Sequence, residues 1–172
     1  VSEPGFVDIV RDGFDAGVRW EESLALDMVA VPLGGRQEYA LVASPDLIAR
    51  HGRPEHPEDL LGRPCIRLKF PSGYVPAWEF ERDGRVLKVT PEGPLTTNSI
   101  ALQLQAALDG VGYLATFEAY GRGPIAEGKL VRLLEDWTPS FPGPMLYYPS
   151  GRQTPRPLRA FIDFLQARRA RA

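Results

Sequence analysis

Apolar residues along this chain recur with two spacings, one typical of strands and the other typical of helices. Short apolar runs bounded by glycine, proline or aspartate predict strands at residues 14–20, 28–33, 38–43, 65–70, 113–117, 129–134 and 145–148. Capping residues followed by apolar positions three and four apart predict helices at residues 6–12, 45–51, 56–61, 100–109 and 125–126, and from residue 154 onward. Because the two kinds of element alternate, we expect an α/β fold with mainly parallel sheets.

The segment 65–70 alternates apolar and basic side chains. Ile66, Leu68 and Phe70 share one face of the predicted strand, and Arg67 and Lys69 share the other. This period of two is typical of a strand that is buried on one side only.

A two-residue hairpin is predicted at Asp83-Gly84, because this dipeptide readily adopts the positive φ angles of the turn. The register then places three residue pairs opposite one another: Trp78 with Val89, Glu79 with Lys88, and Phe80 with Leu87. The first and third pairs are apolar and the second is an ion pair, so both faces of the hairpin agree with this register.

Two predicted helices carry apolar stripes at helical spacing. The stripe of the helix after Asn98 and Ser99 comprises Ile100, Leu104, Ala107, Leu108 and Val111. The stripe of the last helix comprises Leu158, Phe161, Ile162 and Leu165.

Composition and charge exclude several classes of protein. The net charge of −2 over 172 residues gives no broad positive field for a phosphate backbone. The basic run from Arg168 to Arg171 fits a solvated helix end, with a nucleic-acid contact as the alternative. No apolar stretch is long enough to span a membrane, and the first residues do not resemble a signal peptide. A cytoplasmic location fits these features.

Residues that commonly carry catalysis do not form a recognisable set. His51 and His56 have no third metal ligand at a fitting spacing, and the single cysteine, Cys65, fits a small buried hydrophobe. Gly110 and Gly112 follow a helix rather than a strand, which argues against a dinucleotide-binding loop. The acidic pairs Glu21-Glu22 and Glu135-Asp136 fit turn residues better than a catalytic dyad. We therefore expect a binding protein without metal or cofactor, and not an enzyme.

Several motifs, in their order and spacing, resemble the effector-binding domain of LysR-type transcription regulators, which has a fold like that of type 2 periplasmic binding proteins. The resemblance covers nearly the whole chain. The motifs that carry it are Gly13 to Arg19, Ala43 to Leu47, His56 to Leu61, Trp78 to Phe80 with the Asp83-Gly84 turn, Ala106 to Gly112, Gly128 to Val131, Tyr147 to Ser150 and Leu158 to Asp163.

The resemblance implies two α/β lobes. The first comprises residues 1–43 with 146–172, the second residues 44–145, and hinge strands near 38–44 and 145–150 connect them. The family's winged helix-turn-helix is not in this sequence, and we expect the first lobe to lack its first strand, first helix and second strand. Contact with DNA would therefore need the absent N-terminal domain. The complete protein would be a homodimer or tetramer, with no membrane association.

The expected ligand is a small, anionic effector bound between the lobes, at strand ends and helix N-termini. The predicted ligand-binding residues are Arg19, Ser72, Gly73, Thr97, Asn98, Ser99 and Phe117. Two alternatives stay open: an ion pair of Arg19 with Glu21 or Glu22, and simple helix capping by Asn98 and Ser99. The rival class of function is a transport-type solute-binding protein.

The helix at residues 100–109 is also predicted to lie at a subunit interface. Leu102 is roughly opposite its apolar stripe, and no Lys, Arg or Glu occurs from Thr96 to Leu108. An uncharged, partly apolar helix face suits the core of a protein contact. The alternative is that Leu102 packs under a loop of its own lobe.

Overall fold

The computed structural model describes residues 13–19, 28–138, 140–150 and 154–169 of the chain. It divides into two compact units. The first unit is made of residues 1–36 and 141–172, and the second of residues 37–140. The helix predicted at residues 6–12 and the acidic pair Glu21-Glu22 lie outside the described residues. The hinge near residues 38–44 and 145–150 stays a prediction.

Both units combine strands with helices, which confirms the α/β class. In chain order the strands are β1 (Gly17–Arg19), β2 (Met28–Pro32), β3 (Gln37–Ala43), β4 (Cys65–Leu68), β5 (Trp78–Arg82), β6 (Arg85–Val89), β7 (Leu95–Thr97), β8 (Tyr113–Phe117), β9 (Val131–Leu133), β10 (Ser140–Phe141) and β11 (Met145–Pro149). The helices are α1 (Pro45–His51), α2 (Ile100–Leu108), α3 (Glu118–Ala126) and α4 (Arg156–Arg169), with 3₁₀ helices at Pro57–Leu60 and Glu135–Trp137.

The first unit is a small sheet with one described helix. The strand order is β1-β11-β2, and both pairings are antiparallel. Leu158 and Ile162 of α4 pack with Val31 and Leu146 of the sheet in one buried cluster. Phe161, predicted in the same stripe, is instead 45% exposed. Its position on the edge of the stripe turns it away from the sheet that buries its neighbours.

The second unit contains a larger mixed sheet of order β10-β3-β8-β4-β7, with β9 also paired to β3. Among the described strands with a defined register, only β4 with β7 and β4 with β8 are parallel. The prediction of mainly parallel sheets is therefore wrong in this detail. The parallel alignment of β7 and β8 on either side of β4 needs a crossover, which α2 supplies, whereas β3 pairs antiparallel with both β8 and β9.

Both faces of this sheet are covered. On one face, Cys65 packs with Tyr113 and with Phe80 of the hairpin. On the other face, Ile66 packs with residues of α2. Cys65 and Ile66 are both fully buried, so the prediction that this strand is exposed on one side is wrong at its beginning. The hairpin, which comes later in the chain, covers the face that the alternation had assigned to solvent.

The predicted hairpin is present in the predicted register. Strands β5 and β6 pair Trp78 with Val89, Glu79 with Lys88 and Phe80 with Leu87. Asp83 and Gly84 have φ angles of 51° and 75°, as the two-residue turn requires.

Helix α2 buries part of the predicted stripe, since Ala107 is fully buried and Leu104 and Leu108 pack against the same cluster. Its buried residues are Gln103, Ala106 and Ala107, whereas Ile100 is 40% exposed and Leu102 is 48% exposed. The small side chains of Ala106 and Ala107 let the helix approach the sheet closely, and Leu104 and Leu108 pack on the flank of this contact. Because α2 carries apolar residues on several faces, their spacing alone could not predict which face is buried.

Helix α3 is longer than the short helix predicted at residues 125–126, because it begins at Glu118, directly after β8. Two glycines and Pro124 within it lower its intrinsic helix propensity. Packing supplies the missing stability: Gly121 is buried beside Val42, and Ile125 packs against the core of the sheet.

Candidate functional site

Three parallel strands of the second unit, β4, β7 and β8, end at one edge of its sheet. Leu68 lies opposite Thr97, and the next amide, that of Lys69, donates to the Thr97 carbonyl at 3.0 Å. Phe117 ends β8. The residues predicted to bind ligand in this unit therefore follow or end strands that stop together, as at the binding edges of other α/β sheets.

The polar residues after β7 open helix α2. The Ser99 hydroxyl accepts a hydrogen bond from the Leu102 amide at 3.3 Å, and the Ser99 amide donates to the Thr97 hydroxyl at 3.2 Å. Ser99 is therefore the helix cap, and Asn98 beside it is exposed. No acidic residue lies in the first turn. The partial positive charge of this helix end is thus uncompensated by the helix itself.

Ser72 and Gly73 form a tight loop beyond β4. The Gly73 amide donates to the Phe70 carbonyl at 2.8 Å, and the Phe70 amide donates to the Tyr74 carbonyl at 2.8 Å. Gly73 has a φ of 89°, a conformation that a side chain would strain. The loop also brings the Phe70 and Tyr74 rings into a stack with centroids 6.2 Å apart. Its backbone is fixed, and the Ser72 hydroxyl stays exposed.

Phe117 belongs to an aromatic group that spans two strands. Its ring stacks on Tyr39 of β3 with centroids 4.8 Å apart, and Tyr120 of α3 meets it edge-on at 6.0 Å. Burial, and to a lesser degree the charge of Glu79, raise the pKa of Tyr39. Its hydroxyl is therefore neutral at physiological pH.

Arg67 belongs to the predicted solvent face of the strand at residues 65–70, but the structure gives it a partner. Its Nε donates to the Thr96 hydroxyl of the neighbouring strand β7 at 3.1 Å, and both side chains are half-buried. The alternation of basic and apolar residues in β4 predicted a polar position for Arg67 but did not predict its hydrogen-bond partner. Its position beside Thr96 depends on the pairing of β4 with β7, which no local pattern contains.

Arg19 lies on β1 in the first unit, opposite Met145 of β11. Its side chain, and the ion pair with Glu21 or Glu22 considered above, lie outside the part of the chain that the structure describes. The other six predicted residues all belong to the second unit, where they lie near one sheet edge.

A wide depression of about 470 Å³ lies elsewhere in the second unit, lined by Glu81, Arg82, Asp83, Asp136 and Ser140. Its rim is mainly acidic and open to solvent, which does not suit an anionic ligand.

The described residues contain no group of three histidine, cysteine or acidic side chains placed to hold a metal ion. Burial raises the pKa of the Cys65 thiol to about 12, which leaves it protonated and poorly nucleophilic at neutral pH. Within the described ranges, no helix has the length and apolar character needed to cross a membrane.

Comparison with known proteins gives a consistent family. A regulator of Pseudomonas aeruginosa PAO1 is 41% identical over 97% of this chain and 55% of its own length. The HTH-type transcriptional regulator PgrR of Escherichia coli K12 is 37% identical over 94% of this chain and 54% of its own length. The chain thus spans about half the length of the curated relatives it matches.

Solved structures show the same fold. The regulatory domain of AphB from Vibrio vulnificus superposes with a TM-score of 0.81 at 24% identity, covering 98% of this chain and 81% of that domain. The LysR-type regulator CrgA of Neisseria meningitidis gives 0.76 at 27% identity, covering 98% of this chain and 56% of CrgA. The family model described as the LysR substrate binding domain matches residues 1–170. The chain therefore belongs to the LysR substrate-binding domain family.

Proposed function

We propose that this chain is the sensing domain of a transcription regulator, in which a bound small molecule controls DNA binding by another part of the complete protein. The family and the relatives named above, which are transcription regulators, support this role. An effector that binds one conformation of the domain better than another shifts the population toward it. That shift is the signal passed to the DNA-binding part.

The observation that carries the proposal is the common edge at which β4, β7 and β8 end beside the start of α2. Thr97, Asn98 and Ser99 present polar groups there, and Ser72 and Gly73 follow β4. Free amide groups at a helix start attract an anion. We therefore propose an anionic effector at this edge, and Phe117 contributes an apolar wall. Arg19 stays a predicted contributor.

Thermal unfolding in the presence of a compound panel tests effector binding. The panel contains aliphatic carboxylates, aromatic carboxylates, phosphorylated sugars and neutral sugars. Binding stabilises the folded state by about 2.7 kcal/mol when the compound is at 100 times its Kd, which raises Tm by several degrees. We expect at least one anionic class to do this and neutral sugars not to. If no compound of any class raises Tm, effector binding by this domain is contradicted.

We further propose that the complete regulator is a homodimer or tetramer and that α2 lies at a subunit contact. Leu102 is 48% exposed and Ile100 is 40% exposed, on a helix whose buried residues are two alanines and Gln103. Exposed leucine and isoleucine on a helix without charged side chains between Ile100 and Leu108 suit an apolar contact. The exposure of Leu102 argues against its packing under a loop of its own unit.

The family and the relatives are regulators rather than enzymes, and the regulator names give no support to a transport protein. We accordingly propose that the chain binds its effector without converting it. A regulator must reach the chromosome, so we place the complete protein in the cytoplasm.

A further inference from the structure

We propose that Arg67 is the anion-recognising side chain of this edge, and that the adjacent Tyr39–Phe117 pair selects an effector whose carboxylate is attached to a planar apolar ring. This inference rests on the effector binding proposed above and narrows the class of effector.

The guanidinium of Arg67 is oriented but not neutralised. Its Nε is held by the Thr96 hydroxyl at 3.1 Å. Among the described residues, no carboxylate lies within ion-pair distance of Arg67, and its two terminal nitrogens have no protein hydrogen-bond partner. A half-buried cation fixed through one nitrogen therefore keeps its remaining N–H groups as donors for a ligand.

Other arginines of the second unit are committed to structural contacts. Arg50 and Arg63 donate to backbone carbonyls at 2.8 Å. Arg122 and Arg132 pair with glutamates at 2.8 and 3.1 Å. Arg67 differs from these four in being held in place without a carbonyl or carboxylate partner. The Thr96 contact links β4 to β7 through Nε and does not use the two terminal nitrogens of Arg67.

Arg67 and Phe117 share a face of the sheet. Cys65 lies opposite Tyr113 in the parallel β4–β8 pair. Alternation along each strand then places Arg67 on the same side as Phe117. One strand spacing sideways and two residues along give a separation of about 8 Å between their Cα atoms. A small ring with one carboxylate can touch both side chains across that distance.

The chemistry of these groups favours an aromatic carboxylate. The planar fork of a guanidinium matches the two oxygens of a carboxylate. The Tyr39–Phe117 stack, with Tyr39 39% exposed, offers aromatic surface for an offset or edge-on ring contact. Tyr39 carries no negative charge at neutral pH that would repel the anion, because its pKa is raised by burial and by Glu79. Glu79 itself is paired with Lys88.

Isothermal titration calorimetry with benzoate, benzamide and acetate tests the inference. Benzoate has the ring and the charge, benzamide keeps the ring without the charge, and acetate keeps the charge without the ring. We expect the wild-type chain to bind benzoate at least about tenfold more tightly than either of the others. Arg67→Gln should weaken benzoate about 10- to 100-fold, because one charge-assisted contact is lost. Its ratio of benzoate to benzamide affinity should fall toward one.

Arg85→Gln is the matched control, because Arg85 is an exposed arginine at the start of β6. This substitution removes the same charge as Arg67→Gln. It should bind benzoate as the wild type does. Should Arg67→Gln fail to fold, Arg67→Lys keeps the charge without the fork; it should weaken benzoate while preserving the preference over benzamide.

Three results overturn the inference. The wild-type chain could bind benzoate and benzamide with equal affinity, or it could fail to bind benzoate at all. The third result is unchanged benzoate binding by Arg67→Gln, or by Arg67→Lys if only the lysine variant folds. If benzoate fails but another compound of the wider panel raises Tm, the effector-binding proposal stands and only the aromatic-carboxylate inference is wrong. If no panel compound binds, both are wrong.

Discussion

Gly93 shows how closely two backbone segments approach at the base of the sheet. A Cβ atom at this position would overlap the carbonyl oxygen and the amide nitrogen of Cys65. The adjacent Glu92 carbonyl accepts a hydrogen bond from the Cys65 amide at 3.1 Å. The segment that enters β7 therefore lies directly against β4 and leaves no room for a side chain. The close approach of the two backbones requires glycine at position 93.

Gly93→Ala should lower the free energy of unfolding by about 3 kcal/mol or more, because backbone atoms must move to relieve the overlap. Gly123→Ala is the control: nothing lies near its Cβ position in α3, and alanine favours the helix by about 0.5–1 kcal/mol. Urea unfolding of both variants measures the difference. A Gly93→Ala variant as stable as the wild type would contradict the close approach.

The Cys65 thiol predicts a pH dependence. Its pKa is raised from 9.0 to about 12 by burial. Below pH 9 both states keep the proton, so stability is unaffected. As pH rises from 9 toward 12 the unfolded chain loses the proton first, and the free energy of unfolding falls by up to about 1.4 kcal/mol per pH unit. Cys65→Ala should show a shallower decline when urea unfolding is measured from pH 8 to 11. If the free energy of unfolding falls equally steeply with pH in the wild type and in Cys65→Ala, the raised pKa of the Cys65 thiol is contradicted.

At the scale of the elements, local signals determined where most helices and strands begin. Ser44 caps α1 by accepting from the Leu47 amide at 3.3 Å. His56 and Asp59 form a reciprocal capping box on the first 3₁₀ helix. Each contact lies within three residues along the chain, so the sequence contains it entirely. The same is true of Ser99 at the start of α2.

Ser99 caps α2, and variants can separate this role from the anion binding that we propose for it. Ser99→Ala should cost about 1 kcal/mol, because the Leu102 amide loses its acceptor. Ser99→Asp keeps a cap and favours the helix dipole, so its stability should match the wild type or exceed it. Its negative charge should nevertheless weaken anion binding at least about tenfold. Thermal unfolding and calorimetry with an anionic compound that binds the wild type measure the two effects. An Asp variant with unchanged anion affinity would exclude the α2 start from the site.

At the scale of the whole molecule, the exposed apolar residues of α2 bear on assembly. The chain should dimerise, and Leu102→Glu should raise the dissociation constant by on the order of tenfold or more, because a carboxylate would be buried in the contact. Val86→Glu is the matched control, since Val86 is 58% exposed on the hairpin. Size-exclusion chromatography with light scattering over a range of concentrations measures the assembly. A dimer that Leu102→Glu leaves intact would show that the contact lies elsewhere.

The sequence by itself determined the features that depend on near neighbours. The Asp83-Gly84 hairpin followed from its turn residues and cross-strand pairs, and the α/β class followed from the alternation of elements. The family resemblance also needed only the order and spacing of short motifs, and the comparisons confirm it. Six of the predicted ligand-binding residues lie around strand ends because parallel strands linked by helices end at a common edge.

Only the tertiary structure decided which faces are covered. Periodicity could not show that the hairpin buries Cys65, nor that Ala106 packs α2 against the sheet while Ile100 stays exposed. It also could not place Arg67 beside Thr96 or on the same face as Phe117. Such contacts join residues far apart in the chain, and a local pattern records that a side chain is polar without recording what lies opposite it.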